Sequence, residues 1–153
     1  KKREREKDRK KVIKTKRPKK SDDNLLRSFS ILIVDDNLVI LKVLEKALNG
    51  CKEVLSATNG QEALALIEQK SAKKEKPFDL IIMDCLMPVL NGYDTAKYLR
   101  DNGYRGPIIA LTGNSMEDDV KKAKACGFNE VLIKPIRPNE LRQVVLQYGG
   151  KVE

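Results

Sequence analysis

The sequence predicts an α/β domain: a doubly wound sheet of five parallel strands with helices on both faces. Two observations carry this. From Ile31 onward, apolar runs bounded by turn residues alternate five times with helical patterns, as in a series of βα units. The runs are also too continuously apolar for a half-exposed sheet; Leu80-Ile81-Ile82-Met83 has the length and composition of a strand buried on both faces.

The elements follow in order. Ile31–Val34 reads as the first strand and Asn37–Asn49 as a helix ended by Gly50. Glu53–Ser56 is a second strand, and Asn59–Gln69 a helix with Ala63, Leu64 and Ile67 on one face. Lys73–Pro77 is a charged loop, after which the central strand Leu80–Met83 ends abruptly on Asp84. Met87-Pro88 and Asn91-Gly92 then force a loop before the next helix, Asn91–Asn102, which Gly103 stops. Pro107–Leu111 is the fourth strand, Ser115–Cys126 a helix closed by Gly127, and Asn129–Ile133 the fifth strand. Arg137–Tyr148 is a last amphipathic helix with Leu141, Val144 and Val145 inward. There is no internal repeat.

Residues 1–29 read as a basic linker or tail, part helical or disordered, and 30–150 as the folded domain, with Ser21–Ser30 a polar hinge between them. Residues 1–20 hold 13 Lys/Arg and 3 Asp/Glu, whereas positions 21–153 hold 18 basic and 19 acidic residues, so the net charge of +9 belongs to the tail. Only Val12 and Ile13 are sizeable apolar residues there, which favours a solvated segment. KTKRPKK also suits nuclear import, phosphate backbones or acidic lipid surfaces, but no aromatic residue interleaves with it to stack on bases. A nucleic-acid role would therefore reside only in residues 1–20.

The 153 residues suffice for one domain with a proper core, and the initial Lys suggests a piece of a longer protein. Three cysteines without metal spacing and no histidine argue against a zinc site, a disulfide framework and any His-dependent catalysis. They favour a reducing compartment. No stretch is long and apolar enough to form a transmembrane segment and no secretory signal is visible. The expectation is cytoplasmic, on the cytosolic side if the parent protein is membrane-bound, with the nucleus as the alternative.

Asp35-Asp36 follow the first strand, Asp84 ends the third, Thr112 the fourth and Lys134 the fifth. The C-termini of parallel strands lie on one edge of the sheet, where open α/β sheets place their ligands. Each residue alone has a structural explanation: Asp-Asp after a strand often caps the next helix. Together they form three converging carboxylates, which repel unless a cation sits among them. Oxygen donors without His or Cys select a hard cation, and magnesium suits two or three carboxylates plus a carbonyl, with Mn2+ as a substitute. A carboxylate attacking a phosphoryl group needs charge neutralisation; Lys134 and the Thr112 hydroxyl can serve its oxygens. The constellation fits a phosphoryl acceptor.

Ile31–Tyr148 resembles the receiver domain of two-component response regulators, through ILIVDDN (31–37), IIMDCLMPVLNG (81–92), ALTGN (110–114) and LIKP (132–135). The resemblance implies a flavodoxin-like sheet of order 2-1-3-4-5. It implies that Asp84 is the phosphorylated aspartate, Asp35 and Asp36 the magnesium-binding pair, and the Leu86 backbone carbonyl a further ligand. Thr112 would be the switch hydroxyl, Lys134 the active-site lysine, and Lys134–Pro135 a cis bond. Such a domain assists its own phosphorylation and dephosphorylation, with a histidine kinase or histidine-phosphotransfer protein as donor. Asp-Asp-Asn and Met-Asp-Cys-x-Met-Pro look most like the C-terminal receiver of a hybrid histidine kinase. Phosphorylation would shift an equilibrium on the output face near Val131. Val131 itself departs from the family pattern, which often has Tyr or Phe there. Leu38-Val39-Ile40-Leu41 extends beyond one helical face, so part of it is expected to be exposed beside the acids as a docking site for a phosphotransfer helix.

Two rivals remain. A pseudo-receiver would keep the fold and bind proteins without phosphate, which Val131 favours. An aspartyl phosphatase would usually carry a second acid two residues after the first, where this chain has Leu86. Nucleotide binding fails for want of a Gly-rich phosphate loop.

Overall fold

A computed structural model describes residues 20–149. The elements run α1 (Lys20–Leu26), β1 (Ser30–Val34), α2 (Leu38–Ala47), β2 (Glu53–Ala57), α3 (Gly60–Ala72), β3 (Leu80–Asp84) and α4 (Gly92–Asp101). They continue β4 (Ile108–Thr112), α5 (Glu117–Cys126), β5 (Glu130–Ile133) and α6 (Pro138–Tyr148). The five strands are parallel, in the order β2-β1-β3-β4-β5. That is the expected doubly wound sheet, with element ends displaced by at most three residues from those read in the sequence.

Side chains alternate across each strand and so divide between two cores. Ile31, Ile33, Ile82, Ile109 and Leu111 point to the layer of α2 and α6, where Leu41, Leu44, Leu141 and Val145 meet them. Leu32, Val34, Ile81, Met83 and Ala110 point to the opposite layer, against Ala63, Ala96, Leu99 and Ala123. Full burial of β1, β3 and β4 explains why their sequences show runs rather than alternation. Asn37, Asn59 and Asn91 cap α2, α3 and α4 by accepting backbone N–H bonds. Gly127, at φ 111°, ends α5 in the left-handed conformation.

The polar hinge expected over Ser21–Ser30 is largely helical. Leu26 and Phe29 join the core beside α6, and Asp23 pairs with Arg142 at 2.8 Å. Three apolar residues, Leu25, Leu26 and Phe29, in a polar stretch this short give no periodic signal, and the arginine lies 119 residues further on. The basic segment 1–19 lies outside the described residues. Among those described, no helix is long and apolar enough to cross a membrane.

Candidate functional site

Register builds the site. Val34 pairs with Met83, Asp84 with Leu111, and Thr112 with Ile133. The acids after β1, the acid ending β3 and the lysine after β5 therefore arrive at one edge.

Carboxylate oxygens of Asp35, Asp36 and Asp84 lie within 4.8 Å of one another. Asp36 is exposed, Asp84 is 6% exposed and Asp35 is fully buried. Lys134 Nζ lies 2.7 Å from Asp35 Oδ2 and 3.4 Å from Asp84 Oδ2. Asp35 Oδ1 accepts the Asn37 N–H at 2.9 Å, and its Oδ2, sealed from solvent, has the Lys134 ammonium as its close partner. Three carboxylates against this one ammonium leave a formal charge of −2 at the edge.

The protonation equilibria register the imbalance. Burial, and then the charge of Asp35, hold the Asp84 carboxyl above the usual aspartate range; Lys134 and the Leu86 N–H, 3.4 Å from Asp84 Oδ1, offset this only in part. Burial would lower the Lys134 pKa, but close contact with Asp35 and the charges of Asp84 and Asp35 outweigh it and raise the value. An all-oxygen donor set with surplus negative charge fits a hard divalent cation.

The loop after Asp84 is tightly built. The Gly92 N–H donates to Cys85 O at 2.9 Å, and a Cβ at Gly92 would fall 2.1 Å from Asp84 O, so only glycine fits there. Val89 has φ 70°, with Leu90 N–H donating to Pro88 O at 2.8 Å. This is a γ-turn of the strained positive-φ kind, adopted by a β-branched residue at a cost of about 1–3 kcal/mol. Pro88-Val89-Leu90 carries no turn signature, and sequence reasoning missed it. Cys85, next to Asp84, is pushed up to about 11 by burial, so its thiol stays protonated and weakly nucleophilic at neutral pH.

Not every expected residue joins the cluster. The Thr112 hydroxyl accepts from Asn114 N–H at 3.1 Å and lies 3.3 Å from Asn114 O, turned to its own loop. Val131 is half-buried against the α3–α5 core layer. The Lys134–Pro135 bond is cis. Of the apolar quartet opening α2, Leu38 and Val39 are 64% and 69% exposed, Ile40 is half-buried, and Leu41 is in the core. Leu41 thus leaves the expected docking set, because it lies on the face that packs on the sheet. Val43, one turn after Val39, is exposed and extends the stripe. Leu86 and Val89 add exposed apolar side chains on the loop after Asp84.

The family model of the response regulator receiver domain matches residues 31–146. Two-component system protein A of Emericella nidulans is 36% identical over 122 residues, 78% of this chain but 17% of that protein. The chain spans less than a fifth of the length of the curated relatives it matches. A receiver domain of a sensor histidine kinase from Pseudomonas aeruginosa PAO1, with magnesium coordinated in its active-site cleft, is 34% identical with a TM-score of 0.70. The match covers 81% of this chain and 99% of that one. The receiver domain of the histidine kinase CKI1 from Arabidopsis thaliana, complexed with Mg2+ and BeF3−, is 30% identical with a TM-score of 0.69, covering 83% and 95%. Fold, edge geometry and these likenesses agree, and the chain belongs to the response regulator receiver domains of two-component phosphorelay systems.

Proposed function

We propose that Asp84 accepts a phosphoryl group from a phosphohistidine in a magnesium-dependent reaction. The observation that carries this is the surplus negative charge of Asp35, Asp36 and Asp84, which the one ammonium of Lys134 meets only in part. Asp35, Asp36, Asp84 and the Leu86 backbone carbonyl would hold the ion, which supplies charge neutralisation to the phosphoryl oxygens when bound. Mn2+ shares the preference for oxygen donors and would substitute.

An Asp84 carboxylate oxygen forms the new O–P bond as the P–N bond to the donor imidazole breaks, the leaving nitrogen keeping the electron pair. Lys134, now against Asp35 and Asp84, is close enough to turn to a phosphoryl oxygen and oppose its charge. The Thr112 hydroxyl would exchange its Asn114 partner for another phosphoryl oxygen, moving the α5–β5–α6 face around Val131. The exposed stripe Leu38, Val39 and Val43, with Leu86 and Val89 across the site, would receive an apolar helix of a histidine kinase or phosphotransfer protein. Relatedness to histidine kinase receivers supports a hybrid-kinase parent, and the free cysteines would suit a reducing, cytosolic or nuclear setting. Phosphotransfer from a phosphorylated histidine-phosphotransfer protein tests the reading: wild type takes up label only with magnesium, and Asp84→Asn takes up none. Equal labelling of Asp84→Asn would refute it.

A second reading, a phosphate-independent binding module, is favoured by Val131 at the usual aromatic position and by Thr112 turned to Asn114. It predicts partner binding unchanged by magnesium or by Asp84→Asn.

A further inference from the structure

The start of α3 holds an unexpected fastening for the Asp84 loop. The Gly60 N–H donates to Leu90 O at 3.0 Å, directly behind the strained Val89 turn. Among the described residues it is the one hydrogen bond joining the backbone of 86–90 to another element. The others, Leu86 N–H to Asp84 Oδ1 and Leu90 N–H to Pro88 O, stay within the strand end and its loop. First-turn amides of a helix lack intrahelical partners, so α3 can spend this one on the loop without losing a helical bond. Side-chain space is committed too. A Cβ at Gly60 would fall 1.9 Å from Thr95 Oγ1 and 2.8 Å from Leu90 O. Thr95, fully buried in α4, donates that hydroxyl to Asn91 O at 2.7 Å. The two Asn-Gly pairs, Asn59-Gly60 and Asn91-Gly92, thus bring two helix starts into contact around one loop.

We propose that Gly60 is a positioning residue for the cation and phosphoryl site: its amide holds the 86–90 loop, and any side chain there pushes Leu90 and the loop out of place. This rests on the magnesium-dependent acceptor reading above, since that loop carries the Leu86 carbonyl assigned to the ion. It adds a link from β2 and α3, which contribute no site residue, to the chemistry at Asp84.

The test is magnesium affinity by amide-shift titration in wild type, Gly60→Ala, Thr95→Ala and the double variant, each with its melting temperature. Thr95→Ala leaves the Gly60–Leu90 bond intact and should bind magnesium within about twofold of wild type. The double variant removes the collision with Thr95 but not that with Leu90 O. It should fold as Thr95→Ala does, yet bind magnesium at least about fivefold more weakly. A folded double variant with wild-type affinity overturns the proposal. Wild type itself gives a readout that needs no substitution. Exchange of the Gly60 amide with deuterium should slow about tenfold when magnesium and beryllofluoride bind, and an unchanged rate also overturns the proposal. If wild type binds no magnesium, the acceptor reading itself fails and the positioning role falls with it, an outcome distinct from a binding wild type with an indifferent variant.

Discussion

The two edges of the sheet use the same kinds of residue to opposite ends. At the N-terminal edge of the strands, Asp79 is 5% exposed, yet its Oδ2 accepts the Ser30 N–H at 2.8 Å and its Oδ1 pairs with Lys76 at 3.1 Å. Lys70, equally sequestered, pairs with Glu53 at 2.9 Å and Glu75 at 3.5 Å and lies over the Phe78 ring. Glu53 also accepts the Ser30 hydroxyl, and its pKa is lowered, first by that bond and then by Lys70. Arg100 spends its donors on the carbonyls of Tyr104, Gly106 and Gly127 and on Asn129 Oδ1. At the C-terminal edge, by contrast, three carboxylates share one ammonium, and Asp84 is held above its usual range. Buried charge alone therefore does not mark a site; uncompensated charge does.

Variants at the two edges should separate accordingly. Lys134→Ala deepens the imbalance from −2 to −3. Phosphotransfer to Asp84 should fall by about 100-fold or more, while magnesium binding, measured by calorimetry, should tighten. Weaker magnesium binding would mean that the lysine shapes the site rather than merely balancing its charge. Asp79→Asn, at the satisfied edge, should cost about 1–3 kcal/mol in urea unfolding and leave magnesium affinity within about twofold. A joint loss would erase the distinction between the edges.

Val39→Asp tests the apolar rim of the reactive edge. Val39 is largely exposed, so stability should change by no more than about 0.5 kcal/mol, while transfer from a phosphotransfer protein slows about tenfold. Transfer from acetyl phosphate, which needs no docking helix, should be unaffected. Leu41→Ala, two residues on but in the core, should do the reverse and destabilise by about 2–5 kcal/mol.

The smallest effect is one of pH. Because the Asp84 carboxyl sits above its usual value of 3.8, the folded domain binds its proton more readily than the unfolded chain does. Its ionised form opposes folding fully above the raised value, and the opposition is gone below 3.8. Without magnesium, Asp84→Asn should melt above wild type at pH 7, and the gap should close as the solution is acidified. Lys134, shifted upward from 10.5, contributes stability that is complete below that pH and does not interfere in this range.

Much of this was legible in the sequence because strand burial and strand-end chemistry are local signals. Four apolar residues closing on Asp84 reveal both the strand and its edge, and parallel register does the rest. What escaped depends on distant partners or on conformation. Leu26 and Phe29 read as part of a hinge because the helix they pack on comes at the far end of the domain. Leu41 could not be told from Leu38 and Val39 in a continuous apolar run until the helix phase was set by packing. The turn at Val89 and the Gly60–Leu90 bond carry no composition signal. Thr112 sits at the expected strand end, but its hydroxyl bonds to its own loop.

The most direct measurement is magnesium-dependent binding of beryllofluoride, a stand-in for the phosphoryl group, followed through backbone amide shifts in wild type and Asp84→Asn. Saturable shifts are expected at Asp84, Thr112 and Lys134, spreading to the face around Val131, all absent in the variant. A folded wild type that shows no response in excess magnesium would contradict the acceptor reading and leave the binding-module reading.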